Sequence, residues 1–300
     1  MKEINELIRK YELKPNGYIK KGKALIVKTK DKNIIIKKKQ AKNEIYKYLN
    51  SRSFRYYPKI ISEDDNYRIT EYIDEIEMPD EQKMLDMIDL VSLLHYKTTY
   101  YKEVDIDDYK KIYEDVIGNI EYLNSYYLDL ITIIESKVYM SPSEFLLAFN
   151  ISKIFASLNY CNVKIKEWLE IIEKKKKQRF VVLHNNLDIN HFIRNNDSYL
   201  ISWDKAKIDI PIFDLYKLYK KYSLDYDFES ILKKYETNYP LLIEEKILFF
   251  VLISLPDKIE FDKNEYENTK TVSRQIDNLY KTEKLIEEYS KPKKEYTNNK

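Results

Sequence analysis

The sequence predicts an α+β, bilobal protein: a small antiparallel β-sheet carrying one helix, followed by a larger, mainly helical lobe with a short hairpin set into it. Three observations lead there. Short apolar runs broken by polar turns crowd the first part of the chain. Beyond Pro79 the apolar residues recur at helical spacing. Only residues 180–204 return to short strand-like runs in the second half. The expected division is residues 1–75 for the β-rich lobe, 76–290 for the helical lobe, and 291–300 for a polar tail. A chain of 300 residues with 44% hydrophobic content can bury a core in each lobe.

Residues 2–13 have helix-like spacing, with Ile4, Leu7, Ile8 and Leu13 apolar, and Pro15-Asn16-Gly17 reads as a turn. Tyr18 to Lys20, Ala24 to Lys28 and Asn33 to Lys38 are strand-like, and residues 41–50 form a short helix. Two further strands, Tyr57 to Ser62 and Tyr67 to Ile73, flank the polar turn Glu63-Asp64-Asp65-Asn66. Helices are expected over 80–99 and 108–139. Ser141-Pro142-Ser143-Glu144 is a helix start, because Ser141 can cap, Pro142 suits the first helical position and Glu144 completes a capping box. That helix runs to about Lys174, and the basic run from Glu173 to Arg179 then breaks the pattern. Phe180 to Leu183, His191 to Arg194 and Ser198 to Ser202 are strand candidates, with Asn195-Asn196-Asp197 as a turn. Helices resume over 211–223, 227–237, 240–255 and 263–288.

Composition excludes several classes. Lys and Arg total 52 against 50 Asp and Glu, so the net charge of +2 makes no global electrostatic case for nucleic acid or membrane. Lys174 to Lys177 and the lysine-rich first strands are the only nucleic-acid candidates, and a solvated helix end explains the run more simply. Cys161 is the sole cysteine, so neither an intrachain disulfide nor a cysteine metal site is available. The charged N-terminus lacks the apolar core of a signal peptide, and no apolar run reaches membrane-spanning length. A cytoplasmic protein is the expectation. Gly17, Gly22 and Gly118 are the only glycines, which argues against a glycine-rich phosphate cradle.

The segment Val181 to Leu218, VVLHNNLDINHFIRNNDSYLISWDKAKIDIPIFDLYKL, carries the main functional signal. It resembles the catalytic stretch of the aminoglycoside phosphotransferase and choline kinase group, whose fold is protein-kinase-like. His184, Leu187, Phe192, Ile193, Trp203, Ala206, Pro211, Asp214 and Leu215 fall in register with that group's pattern. Leu93-Leu94-His95 with Thr98 or Thr99, the run FRYYPKII from Phe54 to Ile61, and Thr70-Glu71-Tyr72-Ile73 add weaker likeness. The kinase-like spore coat proteins of Gram-positive bacteria share this scaffold and are resembled too.

The resemblance implies roles position by position. His184 would orient the loop backbone, Asp214 would anchor it, and Trp203 belongs to the second motif. The backbone from Glu71 to Ile73 would face an adenine. Lys37, closing the run Ile34-Ile35-Ile36, would meet nucleotide phosphates with Glu44 as its partner. Lys37, Lys38 and Lys39 are consecutive, so the pleat decides which points inward, and a solvated basic strand end is the competing reading.

The three positions that do the group's chemistry all differ. Asn186 stands where the group has its catalytic aspartate, and an amide can hydrogen-bond a hydroxyl without accepting its proton. His191 replaces the metal-binding asparagine, and imidazole is a poor magnesium ligand. Ser202 replaces the metal-binding aspartate, and a hydroxyl brings no charge to hold a dication. Asp188 and Asp204 are the candidates to supply the missing carboxylates in a rearranged loop, and His191 is a candidate ligand for a softer metal such as zinc or manganese. ATP and Mg would be the cofactors of an active member.

Three functions follow as alternatives. The first is a pseudokinase, a binding, regulatory or spore-coat-type structural protein with a small-molecule or protein partner. The second is an active, divergent ATP-dependent phosphotransferase using a small hydroxylated substrate or a protein. The third, a nucleic-acid binder, is disfavoured by the charge balance. Substrate, partner and oligomeric state are not encoded legibly.

Overall fold

A computed structural model of the protein describes Tyr11 and residues 15–22, 24–30, 32–38 and 43–290. The expected helix over 2–13 and the tail over 291–300 lie outside the described residues, Tyr11 excepted. The chain divides into two compact units, Met1–Thr98 with Val182–Ile208, and Thr99–Val181 with Asp209–Lys300.

The first unit is built on a five-stranded antiparallel sheet in the order β1-β2-β3-β5-β4. Its strands are β1 (Pro15–Lys21), β2 (Ala24–Thr29), β3 (Ile34–Lys38), β4 (Ile60–Glu63) and β5 (Tyr67–Glu71). Alternation sorts the two faces. Leu25, Val27, Ile34, Ile36 and Ile69 form one buried cluster, against which Tyr11 and Tyr67 pack. Lys37 lies opposite Arg68 and Ile35 opposite Thr70, so these four share the other face. Lys21 pairs with Ala24, which leaves a two-residue connection between β1 and β2. Gly22 takes φ +57° there, as a tight hairpin turn requires.

Two helices belong to this unit, α1 (Asn43–Ser51) and α2 (Asp80–Thr98). Thr98, at the end of α2, accepts a bond from the Val182 amide at 3.1 Å and donates to the Leu94 carbonyl at 2.7 Å. That contact fixes where the chain re-enters the unit. Beyond it a 3-10 turn (Ile189–His191) leads into the hairpin β8 (Phe192–Arg194) and β9 (Ser198–Leu200), followed by a second 3-10 turn (Trp203–Lys205). Both strands are shorter than expected from the sequence. His191 belongs to the turn, and the left-handed backbone of Ser202 (φ 65°, ψ 50°) prevents the strand from continuing.

The second unit is helical. Its helices are α3 (Ile106–Glu135), α4 (Pro142–Glu173), α5 (Ile212–Tyr222), α6 (Phe228–Asn238), α7 (Ile243–Ser254) and α8 (Glu265–Ser290). Asp105 caps α3, and α4 opens on the expected capping box of Ser141 and Glu144. α4 is the centre of the packing, touching α3, α7 and α8. Its inner face carries Leu147, Ile154, Leu158, Cys161, Ile165 and Trp168. α3 stops at Glu135, short of the expected 139, and leaves Val138 and Tyr139 exposed.

One strand here was not legible, and its partner begins three residues before the expected Phe180. β6 (Tyr100–Glu103) pairs antiparallel with β7 (Lys177–Leu183), which begins inside the basic run. Gln178 and Arg179 are buried, so hydropathy gave no strand signal. Arg179 is tolerated there because Glu245 takes its guanidinium through Nε at 2.7 Å and also through Nη2, while the Tyr239 ring lies 4.0 Å below it. A short β10 (Lys207–Asp209) was likewise unexpected. Among the described residues no helix is long and apolar enough to cross a membrane.

Candidate functional site

The first unit brings together most of the residues singled out by the sequence. The pleat turns Lys37 toward them. Its Nζ donates to Ser202 Oγ at 3.4 Å. Burial pulls the ammonium below the ordinary lysine range, and the charge of Asp204 partly opposes that. Glu44 is exposed on α1, and no ion pair joins it to Lys37 among the described residues. Facing Lys37 from that helix is Tyr46 instead.

Tyr46 and Lys37 line a cavity of about 60 Å³ together with Ile35, Tyr57, Arg68 and Trp203. Arg68 is buried, donates to Glu63 at 2.8 Å, and places its guanidinium 4.3 Å from the Tyr46 ring. Burial pushes the Tyr46 phenol up to about 12 despite that cation. Neither Tyr46 nor Arg68 was marked by the sequence. The available signal was the helical spacing of Ile45, Tyr46 and Leu49 and the strand register of Arg68 against Lys37.

Trp203 is the anchor of the loop. It is 2% exposed, and its Nε1 donates to the Leu200 carbonyl at 2.7 Å. Tyr46, Phe54, Tyr57 and His184 surround it, with the His184 ring edge-on at 4.8 Å. The wholly buried His184 donates from Nε2 to the Ile201 carbonyl at 2.8 Å, which ties the start of the loop to its end.

Asn186, His191 and Ser202 are joined to one another. The Asn186 side-chain amide donates to the Ser202 carbonyl at 3.2 Å. His191 Nδ1 donates to the Asn186 carbonyl at 2.8 Å, which leaves the lone pair of that imidazole on Nε2. Asn185 precedes them in a left-handed conformation (φ 59°), and its amide donates to the Lys205 carbonyl at 2.8 Å. None of the three side chains is a carboxylate. The cluster can position a hydroxyl or an anion by hydrogen bonding and by the charge of Lys37.

The two neighbouring acids are placed differently. Asp188 Oδ1 accepts from the Asn190 amide at 2.8 Å and from the Asn190 side chain at 3.0 Å, and so caps the first 3-10 turn. Asp204 is exposed in the second. Among the described residues no group of three or more His, Cys, Asp or Glu could hold a metal ion.

At the far end of the sheet, the Glu71 amide donates to the Lys59 carbonyl at 3.0 Å, and its carboxylate accepts from the Lys59 amide at 2.8 Å. The Tyr72 amide donates to the Asn33 carbonyl at 3.1 Å, and Ile73 is half-buried beyond it. Asp214 belongs to the second unit, wholly buried in the first turn of α5.

No family model matches the sequence, and no curated protein matches it. Solved structures do. The chain is similar to an aminoglycoside phosphotransferase from Alicyclobacillus acidocaldarius, with a TM-score of 0.63 and 9% identity over 94% of each chain. It is also similar to a spectinomycin phosphotransferase solved with ADP and spectinomycin, with a TM-score of 0.52 and 12% identity over 94% of this chain and 98% of that one. At such identities the likeness is one of fold. The chain has the kinase-like fold of the aminoglycoside phosphotransferases.

Proposed function

We propose that this chain is a phosphotransferase-like pseudokinase, in which phosphoryl transfer is impaired or lost and the fold serves to bind a small molecule or a protein partner. The observation that carries the reading is the Asn186–His191–Ser202 cluster, which contains no carboxylate. An amide, an imidazole and a hydroxyl stand at the positions where the resemblance expects a base and two magnesium ligands. Magnesium prefers charged oxygen donors, so this donor set does not fit it. The carboxylate of Asp188 is engaged in capping its own turn, and Asp204, on an exposed turn, borders the cavity beside Lys37 and acts on it through its charge. With positioning and electrostatics supplying nearly all phosphoryl-transfer catalysis, loss of the base and both metal ligands removes the main contributions. The resemblance to spore coat proteins adds a structural role in a coat, or a regulatory one, as the setting in which such a binding protein would act.

Thermal unfolding with ATP, with and without magnesium, in metal-free buffer tests this. A ligand that binds only the folded state raises the melting temperature by mass action. The expected result is no magnesium-dependent rise. A rise that requires magnesium, accompanied by transfer of the γ-phosphate to a hydroxyl, would overturn the reading in favour of a divergent, active kinase. In that case Asp188→Ala and Asp204→Ala would show which carboxylate had replaced the lost ones.

A further inference from the structure

Helix α4 packs one side against α3, α7 and α8 and leaves the other without a partner. From Phe145 to Val163 its exposed positions are Phe145, Phe149, Ser152, Ala156, Asn159 and Val163. They step alternately by four and three residues, the 3.5-residue period that forms the seam of a two-helix coil. None of them is charged. Over that whole stretch the only charged residue is Lys153, in a chain that is 34% charged. Lys153 lies off the seam, ion-paired with Glu283 on α8. A solvated helix face is rich in charged side chains. Here charge returns only at Lys166 and Glu170, the next two exposed seam positions.

The area suffices for a dimer. Phe145 is 59% and Phe149 76% exposed, and their rings stack at 6.2 Å. At about 200 Å² for an aromatic side chain, the two expose about 270 Å². Val163, 54% exposed, and the smaller seam residues bring the face to about 500 Å², the size of patch that commonly marks an interaction site. Closing two such faces on each other removes about 1,000 Å² from water, the lower limit for a specific interface.

We propose that this face of α4 joins a second copy of the chain in an antiparallel, two-fold symmetric dimer. Run in opposite directions, two copies of the seam match about an axis midway between Ser152 and Ala156. Phe145 falls opposite Val163, Phe149 opposite Asn159, and Ser152 opposite Ala156. The rings then meet smaller side chains, and the small central residues let the two helices approach closely. Charge agrees with this direction. Lys166 falls opposite Pro142, and Glu170 lies beyond the start of the facing helix, toward Lys137, whose side chain is 44% exposed. A parallel pair would instead set Lys166 on Lys166 and Glu170 on Glu170, with like charges in contact. The face belongs to the helical unit and the loop cluster to the other, so the dimer is independent of the pseudokinase reading.

Sedimentation equilibrium of the full chain between about 1 and 200 µM should show a weight-average mass that climbs toward twice that of one chain. Ala156→Glu sets like charges beside the two-fold axis and should raise the dissociation constant at least about tenfold. Phe149→Lys should do the same from the most exposed ring. Both positions face solvent in the single chain, and circular dichroism with urea unfolding checks that each variant is folded. Cross-linking reads the direction. Ser152→Cys and Ala156→Cys chains, mixed with oxidised glutathione, should form a disulfide between the two variants faster than either forms one with itself. Cys161 is buried and does not compete. A chain that stays monomeric up to about 200 µM would overturn the proposal, and its sedimentation with phosphatidylcholine vesicles would then assign the face to lipid. Dimerisation undiminished in both Ala156→Glu and Phe149→Lys would place the interface elsewhere, and faster self-linking of either cysteine variant would refute the antiparallel arrangement.

Discussion

Placing a carboxylate back at position 202 is the sharpest test of how the loop and β3 are arranged. Lys37 Nζ lies 3.4 Å from Ser202 Oγ. In Ser202→Asp a carboxylate oxygen would sit about 4 Å from that ammonium, worth about 4 kcal/mol of attraction at an effective dielectric near 20. Desolvation of a carboxylate in this half-buried place removes roughly half of it. Aspartate tolerates the left-handed backbone found there, so the substitution adds little strain. Urea unfolding of the wild type, Ser202→Asp, Lys37→Met and the double variant closes a cycle whose coupling energy should be about 2 kcal/mol, favourable. The pH dependence carries a second signature. Lys37 titrates below the ordinary lysine range in the folded state, so the unfolded chain binds more protons in that interval. Its contribution therefore makes stability rise as pH climbs from the folded value toward the ordinary one. Ser202→Asp should abolish that rise, measured as a difference from Lys37→Met to cancel the tyrosines. A coupling below about 0.5 kcal/mol, the size of an ordinary surface pair, would refute the inward orientation of Lys37.

Four further outcomes are expected. Trp203→Ala should cost about 3–5 kcal/mol in urea unfolding, since four rings pack against that indole and the Leu200 carbonyl loses its donor. Asp204→Asn removes the charge that holds the Lys37 value up, so acylation of Lys37 at pH 8, followed by peptide mapping, should become faster. Glu245→Gln should destabilise by about 3 kcal/mol in the same unfolding assay, because it strands a buried guanidinium, whereas a surface pair such as Lys258–Glu260 should be near neutral. Cys161 is fully buried, bonds the Val251 carbonyl at 3.4 Å and has its thiol pushed up to about 12 by burial. It should resist thiol reagents in the native state and react once per chain in denaturant.

Where a local rule dominates, the sequence was readable. The capping box at Ser141 and Glu144 is satisfied by residues three apart, so no tertiary information is needed to place the start of α4. The same holds for the amphipathic helices from Asp80 onward, whose buried positions follow the 3.6-residue period. Among the candidate residues, His184, Asn186, His191, Ser202 and Trp203 were legible because one continuous segment carries them at characteristic spacing. β6 and the first residues of β7 were missed for the opposite reason. Arg179 and Gln178 look solvated until Glu245, distant in sequence, takes the guanidinium. The cavity lining was missed in the same way, since Tyr46 and Arg68 gain meaning only from the strand register that places Arg68 against Lys37.

By itself, then, the amino-acid sequence determined the order and type of most elements, the resemblance of the loop to the phosphotransferase stretch, and that Asn186 and Ser202 stand where that resemblance expects carboxylates. These follow from residue identity and short-range periodicity. Tertiary structure alone decided that Lys37 reaches Ser202, that Tyr46 rather than Glu44 lines the same cavity, and that Asp188 is engaged in its own turn. The physical reason is that a side chain's direction and partners depend on pleat, register and packing between segments far apart in the chain, and none of these is written in any local stretch of sequence.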